Sequence, residues 1–395
     1  TGFGPNHVGA ETAKPDDARA SALALAIGEA AVGPVEIVRG ARHRVPFSSV
    51  RCRKTAYDEF HGAIQPYDPA GDPRTTLEIA SAVVRAGGRA LVASQGGRLA
   101  DDIEMAGGEV VSMPVHSKNP LTVWMNGGRL ARLIRERQVD LIHARSRAPA
   151  WSALAASKKT DIPFVTTYHG AYQAAGPLKR YYNSSMLRAD CVIANSRYTG
   201  AAIARLGGVE ADRLRIIPRG ADLEVFNPAR VSEDRVRQLI DDWGLDGENR
   251  SFRVLLPGRM TAWKGHETAI DAVARLKSRA ASGNDQGLTL VFCGGAQGRS
   301  DYETELRAMI EERGVRNMVH LVGDCVDMPA AYAWSDLVIS PSTRPEAFGR
   351  VAVEAGAMEK PVIAANHGGA AETIQDGESG ILVAPGDATE LAEAI

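Results

Sequence analysis

The sequence predicts an α/β protein built from two parallel-sheet domains. Its 395 residues exceed what one hydrophobic core normally serves, so two domains are expected. Short apolar, β-rich runs alternate with amphipathic helical patterns from about residue 74 to the end, and this alternation is typical of parallel sheets covered by helices. With 44% hydrophobic and 24% charged residues, the composition is that of an ordinary globular protein.

In the first half, predicted strands and helices follow one another closely. The strands are RALVAS, VVSMPV, DLIHA, PFVTTYHG and CVIAN, and the helices are RTTLEIASAVVRAGG, GGRLARLIRERQ, APAWSALAASKK and LKRYYNSSMLR. Ser196 and Thr199 follow the last of these strands with the spacing of a helix start. The segment before the first helix reads as a poor strand, so the regular alternation is predicted to begin near residue 74.

The second half repeats the scheme, with a helical pattern after each strand. Its predicted strands are RVLLPGR, LTLVFCGG, VHLVGD, LVISPS, PVIAAN and GILVAP. The Pro- and Gly-containing segment 216–243 is the best joint between the halves, so we predict one domain over 57–220 and a second over 221–395. Residues 1–56, rich in Ala, Gly, Pro and charge, are predicted to be an atypical extension. The chain stops within a helical pattern, which suggests a truncated C-terminus.

Composition also narrows the class of protein. No apolar run approaches the roughly 20 residues that span a bilayer, and no signal peptide is evident. The cysteines are scattered without a CxxC pair, and those in strand-like runs are expected to be reduced and buried; the four are Cys52, Cys191, Cys293 and Cys325. These features predict a cytoplasmic protein without a disulfide framework or a zinc site.

Basic residues are concentrated between positions 129 and 188. Eleven stand there against three acids, and they are Arg129, Arg132, Arg135, Arg137, Arg145, Arg147, Lys158, Lys159, Lys179, Arg180 and Arg188. The excess favours an anionic partner such as a phosphate, an acidic glycan or a membrane surface, although solvated helix faces explain it equally well. Nucleic acid is not a predicted partner, because regularly interleaved aromatic residues are missing.

Candidate functional residues follow the strands, because ligands of parallel α/β sheets bind at the carboxyl ends of strands. After RVLLP, a glycine-flanked loop carries Arg259 and Lys264. A guanidinium fork and an ammonium suit a diphosphate, although two surface charges on a turn would look the same. The loop is not a Walker motif, because GxxxxGK[ST] is absent.

Two acids, Glu346 and Glu354, follow the strand LVISPS. Gly349 is predicted to open the next helix, which puts Glu346 in the loop and Glu354 within the helix. The amides around Phe348 and Gly349 would then form a helix N-terminus, which is a ready anion site. A glycosidase acid and base could also be arranged from two carboxylates, but an acid beside a phosphate-type helix end fits recognition of sugar hydroxyls better.

Two histidines, His143 and His169, end strands of the first half. His169 is the better candidate because Gly170 follows it directly, whereas a lone histidine is more often structural. No HExxH or similar ligand spacing occurs, so no protein-bound metal is predicted.

These motifs together resemble glycosyltransferase family 4. The resemblance rests on GRMTAWKG, on RPEAFGRVAVEAGAMEKPVIAANHGG with its E-x7-E spacing, and on IIPRGADLEVFNP, which is similar to the family's IPNGVD-like interdomain segment. It covers about residue 74 to the end. The segments DLIHARSRAPAW, FVTTYHGAY and VIANSRYT look like bacterial members that act on lipopolysaccharide or capsule.

The resemblance implies a GT-B fold, in which two Rossmann-like domains face each other across a cleft. Arg259 and Lys264 would hold the diphosphate of a nucleotide-sugar donor. Glu346 would bind donor-sugar hydroxyls, and Glu354 the ribose. The other implied contacts are the Phe348 and Gly349 amides on the sugar and phosphate, Val326 and its loop along the base, and His169 near the reacting carbon.

The implied activity is a retaining hexosyltransfer from a nucleotide sugar to a glycan or lipid-linked acceptor in lipopolysaccharide-type synthesis. The nucleotide sugar is a co-substrate, no bound cofactor is implied, and no metal is required. The proton of the acceptor would pass to the leaving phosphate. A cytoplasmic location is expected, with peripheral attachment to the inner membrane through the basic N-terminal domain.

Three departures from the family pattern keep two alternatives open. The glycine-rich loop expected before the RTTLEIA helix is reduced to Gly71, with the acid Asp72 beside it. The N-terminal extension and the missing last helix are the other two. The alternatives are a nucleotide-sugar epimerase of the same fold and an inactive homologue that serves as a binding subunit.

Overall fold

The protein is described here by a computed structural model, which covers residues 60–64, 74–97, 100–170, 176–245, 251–280, 287–295 and 300–395. By internal contacts the chain divides into two compact units, residues 1–167 with 174–192 and residues 168–173 with 193–395. The predicted domain boundaries stay a prediction. The predicted extension over 1–56 and the loop containing Gly71 and Asp72 lie outside the described residues.

The first sheet has seven strands in the order β3-β2-β1-β4-β5-β6-β7. The pairs β3/β2, β2/β1, β1/β4 and β4/β5 are parallel. Apart from the added strand β7, this order, 3-2-1-4-5-6, is that of a doubly wound nucleotide-binding sheet. The strands are β1 Phe60–Ile64, β2 Gly88–Ser94, β3 Glu109–Ser112, β4 Leu141–Ala144, β5 Phe164–Tyr168, β6 Cys191–Ala194 and β7 Leu214–Ile216.

Among the described residues, six helices belong to this half, and two of them begin at a side-chain cap. They are α1 Arg74–Arg85, α2 Ala100–Met105, α3 Pro120–Arg137, α4 Arg147–Thr160, α5 Pro177–Leu187 and α6 Arg197–Leu206. Asn119 caps α3 by accepting from the amides of Leu121 and Thr122, and Pro120 occupies the first turn, where its missing N–H costs nothing. Ser196 caps α6 through the Thr199 amide, which confirms the predicted helix start.

Strand β1 corrects the sequence analysis. The alternation was expected to begin near residue 74, yet Phe60–Ile64 forms a strand between β2 and β4. Its sequence FHGAI contains a histidine and a glycine, both of which weaken a strand signal. Pairing with β2 and β4 satisfies the backbone hydrogen-bonding groups of β1, so the segment forms a strand although its own sequence predicts one poorly.

The second sheet has six strands in the order β10-β9-β8-β11-β12-β13. Every neighbouring pair is parallel. Counted from β8, this again is the order 3-2-1-4-5-6, so the two halves share one doubly wound plan. The strands are β8 Phe252–Pro257, β9 Leu288–Cys293, β10 Val319–Gly323, β11 Leu337–Ser340, β12 Val362–Ala365 and β13 Ile381–Val383.

Alternation within β8 shows how the sheet buries both faces. Val254 and Leu256 pack into one apolar cluster, and Leu255 packs into another on the opposite face, because successive strand side chains point to opposite sides. Helices cover these clusters, and they are α7 Glu233–Trp243, α8 His266–Ala280, α9 Ser300–Glu312, α10 Met328–Trp334, α11 Arg350–Ala357, α12 Ala370–Thr373 and α13 Ala388–Ala394. The parallel α/β fold class is confirmed.

Two further sequence expectations concern cysteines and membrane spans. Cys191 and Cys293 are buried and take part in no disulfide among the described residues, and such burial is expected for cysteines in core strands. Across the described part of the chain, no helix combines the length and apolarity needed to cross a membrane.

Candidate active site

The candidate site lies at the carboxyl edge of the second sheet. The loop after β8 carries Lys264, and the loop after β11 carries Glu346. Strands β8 and β11 are neighbours, and the direction of strand order reverses between them. Such a reversal opens a crevice between the two loops, where ligands of doubly wound sheets bind.

Lys264 and Glu346 form an ion pair in this crevice. The Lys264 Nζ lies 2.8 Å from Glu346 Oε1, and the two side chains are only 11% and 10% exposed. The residues are 82 positions apart, so the topology of the sheet brings them together. A nearly buried ion pair of this kind is costly to break, because the remaining charge has no compensating partner.

Two serines of the β11 end also orient Glu346. Ser342 Oγ donates to Glu346 Oε1 at 2.5 Å and Ser340 Oγ does so at 3.4 Å. The two loops are joined directly as well, since the Thr343 N–H donates to the Trp263 carbonyl at 2.8 Å. The carboxylate is therefore held in one orientation at the crevice.

The electrostatics of Glu346 keep it ionised. Burial opposes its charge, but the Lys264 ammonium and the Ser342 and Ser340 hydroxyls outweigh that cost, so the pKa of Glu346 lies below its ordinary value. Glu346 is therefore an acceptor of hydrogen bonds, which suits the recognition of hydroxyl groups.

A pH dependence of stability follows from this lowered pKa. Because the folded pKa of Glu346 is below the unfolded one, its contribution is present above the unfolded pKa and is lost as pH falls through the folded value. We expect the unfolding temperature of wild type to exceed that of Glu346→Gln at neutral pH, and the gap to narrow between about pH 5 and pH 3. Thermal unfolding followed by circular dichroism at stepped pH measures it, and a gap that widens on acidification would contradict the assigned pairing.

The loop from Glu346 to Gly349 packs closely against the segment before α12. Gly349 is the N-cap of α11 with φ of 87°, a left-handed conformation that favours glycine. A Cβ on Gly369 would lie 2.4 Å from the Phe348 Cα, so only glycine permits this approach. The Gly369 N–H donates to the Glu346 carbonyl at 2.8 Å. The backbone of the 346–349 loop and that of Gly369 thus hold each other in place. Helix α11 begins directly after Gly349, as the sequence predicted.

Glu354 is held one turn into α11. Its Oε2 accepts from the Tyr332 hydroxyl at 2.9 Å, and its Oε1 accepts from Arg350 Nε at 3.0 Å. Burial and the nearby Glu354 charge raise the pKa of Tyr332 well above its ordinary value, so the phenol stays a donor. With its side chain only 12% exposed, Glu354 is no ordinary surface glutamate.

Val326 lies in the loop between β10 and α10 and is 91% exposed. Two acids anchor that loop: Asp324 accepts from the Gly295 N–H at 2.8 Å, and Asp327 caps α10 through the Ala330 N–H at 3.1 Å. Arg235 reinforces Asp327 with two hydrogen bonds, of 2.9 and 2.7 Å. The anchors leave Val326 on an outward-facing edge of the loop.

His169 pairs with an arginine that the sequence analysis did not select. Arg219 Nη2 lies 2.6 Å from His169 Nδ1. Because a guanidinium can only donate, Nδ1 accepts and the ring proton of the neutral imidazole is on Nε2. The available signal was that Arg219 replaces the Asn of the IPNGVD-like pattern. His143, by contrast, is a buried structural residue bonded to Thr167 at 2.8 Å.

The family resemblance implies that His169 serves sugar transfer, and on that expectation Arg219→Asn should lower kcat/KM about tenfold, because His169 loses a charge-assisted hydrogen bond of roughly 1.5–3 kcal/mol. The double variant with His169→Ala should be no slower than His169→Ala alone, since the two residues act as one unit. Steady-state kinetics of the three variants measure this. Arg215→Asn, which alters an exposed arginine of β7, is the matched control; fully additive losses would rule out the coupling.

The remaining predicted residue, Arg259, has an exposed side chain on the loop after β8. Among the predicted residues, Lys264 and Glu346 form an ion pair, and Phe348 and Gly349 lie at the start of α11, which contains Glu354. Arg259 lies on the same loop as Lys264, Val326 follows β10, and His169 follows β5. Among the described residues, no group of three or more His, Cys, Asp or Glu could hold a metal; independence from metal stays a prediction.

Family models match both halves of the chain. The model described as glycosyl transferases group 1 matches residues 242–395, and the model described as Glycosyltransferase Family 4 matches residues 71–225. A glycosyltransferase from Rickettsia africae has a similar structure, with a TM-score of 0.76 and 31% identity over 85% of this chain and 86% of that chain. The chain therefore belongs to the glycosyltransferases of this family, and the predicted GT-B fold is confirmed.

Two other relatives have more informative names. A D-inositol 3-phosphate glycosyltransferase of Xylanimonas cellulosilytica is 31% identical over 62% of this chain and 60% of its own length. Anabaena HepE, solved in complex with UDP-glucose, has a TM-score of 0.69 and 27% identity over 84% of this chain and 88% of that chain. The match to the first curated relative thus spans about three fifths of that relative's length.

Proposed function

We propose that this protein transfers a sugar from a nucleotide-sugar donor to an acceptor hydroxyl with retention of anomeric configuration. The observation that carries the proposal is the Lys264–Glu346 pair in the crevice between β8 and β11. The Lys264 ammonium can bind a phosphate, and the Glu346 carboxylate can accept hydrogen bonds from hydroxyls. The start of α11 follows on the same loop, and its amides favour anions. The UDP-glucose complex of HepE supports a nucleotide sugar as donor.

Each residue has a proposed role. Lys264 and Arg259 bind the donor diphosphate, and Glu346 binds donor-sugar hydroxyls. The amides of Phe348 and Gly349 contact the sugar and phosphate. The other proposed contacts are Glu354 to the ribose, the Val326 loop along the base, and His169 through its Nε2–H near the reacting carbon.

Negative charge develops on the diphosphate as it leaves, and this chain stabilises it with two cations and a helix N-terminus. The leaving phosphate oxygen takes the proton of the attacking hydroxyl, so no carboxylate acts as general base and no metal ion is needed. Lys264 must turn from Glu346 toward the diphosphate as the donor binds. Glu346 is then left to accept from sugar hydroxyls, which replace the ammonium as its partners.

The acceptor has two candidate classes. A glycan or lipid-linked acceptor of lipopolysaccharide-type synthesis agrees with the basic segment 129–188, whereas the name of the Xylanimonas relative favours a phosphorylated cyclitol. Transfer assays with D-inositol 3-phosphate and with deacylated lipopolysaccharide core as acceptors separate the two classes. Sugar transfer to either one would also exclude the epimerase alternative.

A cytoplasmic location with peripheral attachment to the inner membrane is the location we propose. Its support is a set of exposed apolar side chains on α3 and α5, where Leu121, Trp124 and Tyr181 are 65%, 69% and 60% exposed. Cations accompany these rings, with Lys159 5.9 Å from Trp124 and Arg188 5.4 Å from Tyr181. Aromatic rings beside cations suit an anionic bilayer surface.

Vesicle sedimentation tests the attachment. We expect more protein to sediment with phosphatidylglycerol vesicles than with phosphatidylcholine vesicles, and Trp124→Ser to reduce that fraction. Met105→Ser, which removes a residue of α2 that is 79% exposed, is the matched control. Equal sedimentation with both vesicle types would refute the attachment.

A thermal-shift panel of nucleoside diphosphates and nucleotide sugars tests the donor class. Ligand at about 100 times its Kd stabilises the folded state by about 2.7 kcal/mol, which shifts the unfolding temperature by several degrees. We expect one base to stand out both as diphosphate and as nucleotide sugar. A panel without any shift would overturn the proposal.

A further inference from the structure

The carbonyl of Ala347, between the proposed ligand-binding residues Glu346 and Phe348, is held by two hydroxyls at the start of α6. Thr199 Oγ1 lies 3.2 Å from the Ala347 oxygen, and Ser196 Oγ also contacts it. Ser196 and Thr199 are 1% and 0% exposed. All of these residues belong to the second compact unit. Two buried hydroxyls thus meet on one backbone oxygen of the site loop.

A carboxylate also fixes the start of α6. Glu372, in α12, accepts from the amides of Arg197 at 2.8 Å and Tyr198 at 2.5 Å. These are first-turn amides without intrahelical partners, and a negative charge at a helix N-terminus is stabilising. Helix α12 follows Gly369, whose N–H holds the Glu346 carbonyl. Glu372 therefore ties α6 to the element that also supports the site loop.

Peptide planarity connects these contacts to the site. In a trans peptide the C=O and the following N–H lie in one plane and point in opposite directions. Hydroxyls that hold the Ala347 oxygen therefore aim the Phe348 N–H to the opposite side. The Gly369 contact fixes the preceding peptide in the same way. The direction of the Phe348 donor is thus set by residues that lie outside the proposed set of ligand contacts.

We propose that Ser196, Thr199 and Glu372 are positioning residues that aim the Phe348 N–H at the donor. The inference rests on the proposed function, because the Phe348 amide is a proposed donor contact. Capping alone would explain Ser196, whose Oγ accepts from the Thr199 N–H at 3.0 Å. It does not explain why the Thr199 hydroxyl also lies on the Ala347 oxygen.

The test compares Thr199→Val, which removes the hydroxyl at nearly constant volume, with Thr199→Ser, which retains it. Calorimetric titration with UDP and with UDP-glucose is the first readout. We expect Thr199→Val to reduce the preference for UDP-glucose over UDP by about fivefold, roughly 1 kcal/mol. Thr199→Ser should keep the wild-type preference. An unchanged preference in Thr199→Val would overturn the positioning role.

Ser232→Ala is the matched control, because Ser232 caps α7 through the Arg235 N–H at 3.4 Å without contacting the site loop. A merely structural loss should lower the unfolding temperature of Thr199→Val and Ser232→Ala alike and leave the UDP-glucose preference unchanged. Glu372→Gln, which removes charge at constant volume, should change the preference in the same direction as Thr199→Val. It keeps the test decisive should Thr199→Val fail to fold.

Amide hydrogen exchange separates failure of this inference from failure of the proposed function. In the ligand-free protein, we expect exchange in the peptide over residues 346–350 to accelerate about tenfold in Thr199→Val and not in Thr199→Ser or Ser232→Ala. If wild type binds neither probe, the titrations are repeated with the diphosphate and nucleotide sugar that the thermal-shift panel selects. If that panel shows no shift, the proposed function fails, and the exchange data alone then decide whether the hydroxyls hold the loop. Equal exchange rates in all variants would contradict the claim that the hydroxyls hold the loop.

Discussion

Glu346→Gln is expected to slow sugar transfer about 10³-fold while the chain remains folded and still binds the nucleoside diphosphate. A carboxylate that accepts from two sugar hydroxyls makes two charge-assisted hydrogen bonds, each worth roughly 1.5–3 kcal/mol. The amide retains the shape of the side chain and loses its charge. Loss of the charge also frees Lys264 from its 2.8 Å partner, so affinity for the diphosphate alone should not fall.

Glu393→Gln is the matched control for this result. Glu393 pairs with Arg279 at 3.3 Å on the surface, where the side chains are 61% and 54% exposed, and such pairs contribute little. Steady-state transfer kinetics and calorimetry with the nucleoside diphosphate give the two readouts. Transfer by Glu346→Gln within threefold of wild type would remove Glu346 from the site. A loss of diphosphate binding as large as the loss of transfer would contradict its role as a ligand of the sugar hydroxyls.

Lys264→Met is expected to have the second large effect, weakening diphosphate binding about 10²-fold. The ammonium is a proposed phosphate ligand, and charge-assisted contacts of this type contribute about 1.5–3 kcal/mol. The variant also leaves Glu346 buried and without its cation, which should cost about 3–5 kcal/mol of folding stability. Calorimetry and denaturant unfolding measure the two effects separately.

The charge-reversed double variant Lys264→Glu with Glu346→Lys distinguishes these two roles. It restores an ion pair, so in a double-mutant cycle its loss of folding stability should be smaller than the sum of the two single-variant losses by about 2 kcal/mol. It places an acid where the diphosphate must bind, so activity should stay absent. Recovery of both stability and transfer would show that the pair serves only the fold.

Local patterns predict most of the fold because each strand and helix carries its own periodicity. The strands β8 to β13 all fall within apolar runs of the sequence. Strand β1 is the exception, because FHGAI has little strand propensity and is a strand through its neighbours β2 and β4. Long-range pairing of this kind leaves no mark within five residues of sequence.

For the site, the sequence identifies residues but not their partners. Motif resemblance selects Glu354, yet nothing local connects it to Tyr332. The Tyr332 hydroxyl lies 2.9 Å from the Glu354 carboxylate, although the two residues are 22 positions apart in the chain. The same holds for Arg219 with His169 and for Thr199 with Ala347, which are 50 and 148 positions apart. Such contacts depend on the order of strands in the sheet, which spacing does not encode.

Release of nucleoside diphosphate from nucleotide sugars tests the account most directly. Wild type and Glu346→Gln are incubated with UDP-, GDP- and ADP-sugars, and the released diphosphate is measured by mass spectrometry. We expect wild type to release it from at least one donor, and Glu346→Gln to do so about 10³-fold more slowly. Folded wild type that releases no diphosphate from any donor, even with both candidate acceptors present, would contradict the account and favour an inactive binding subunit.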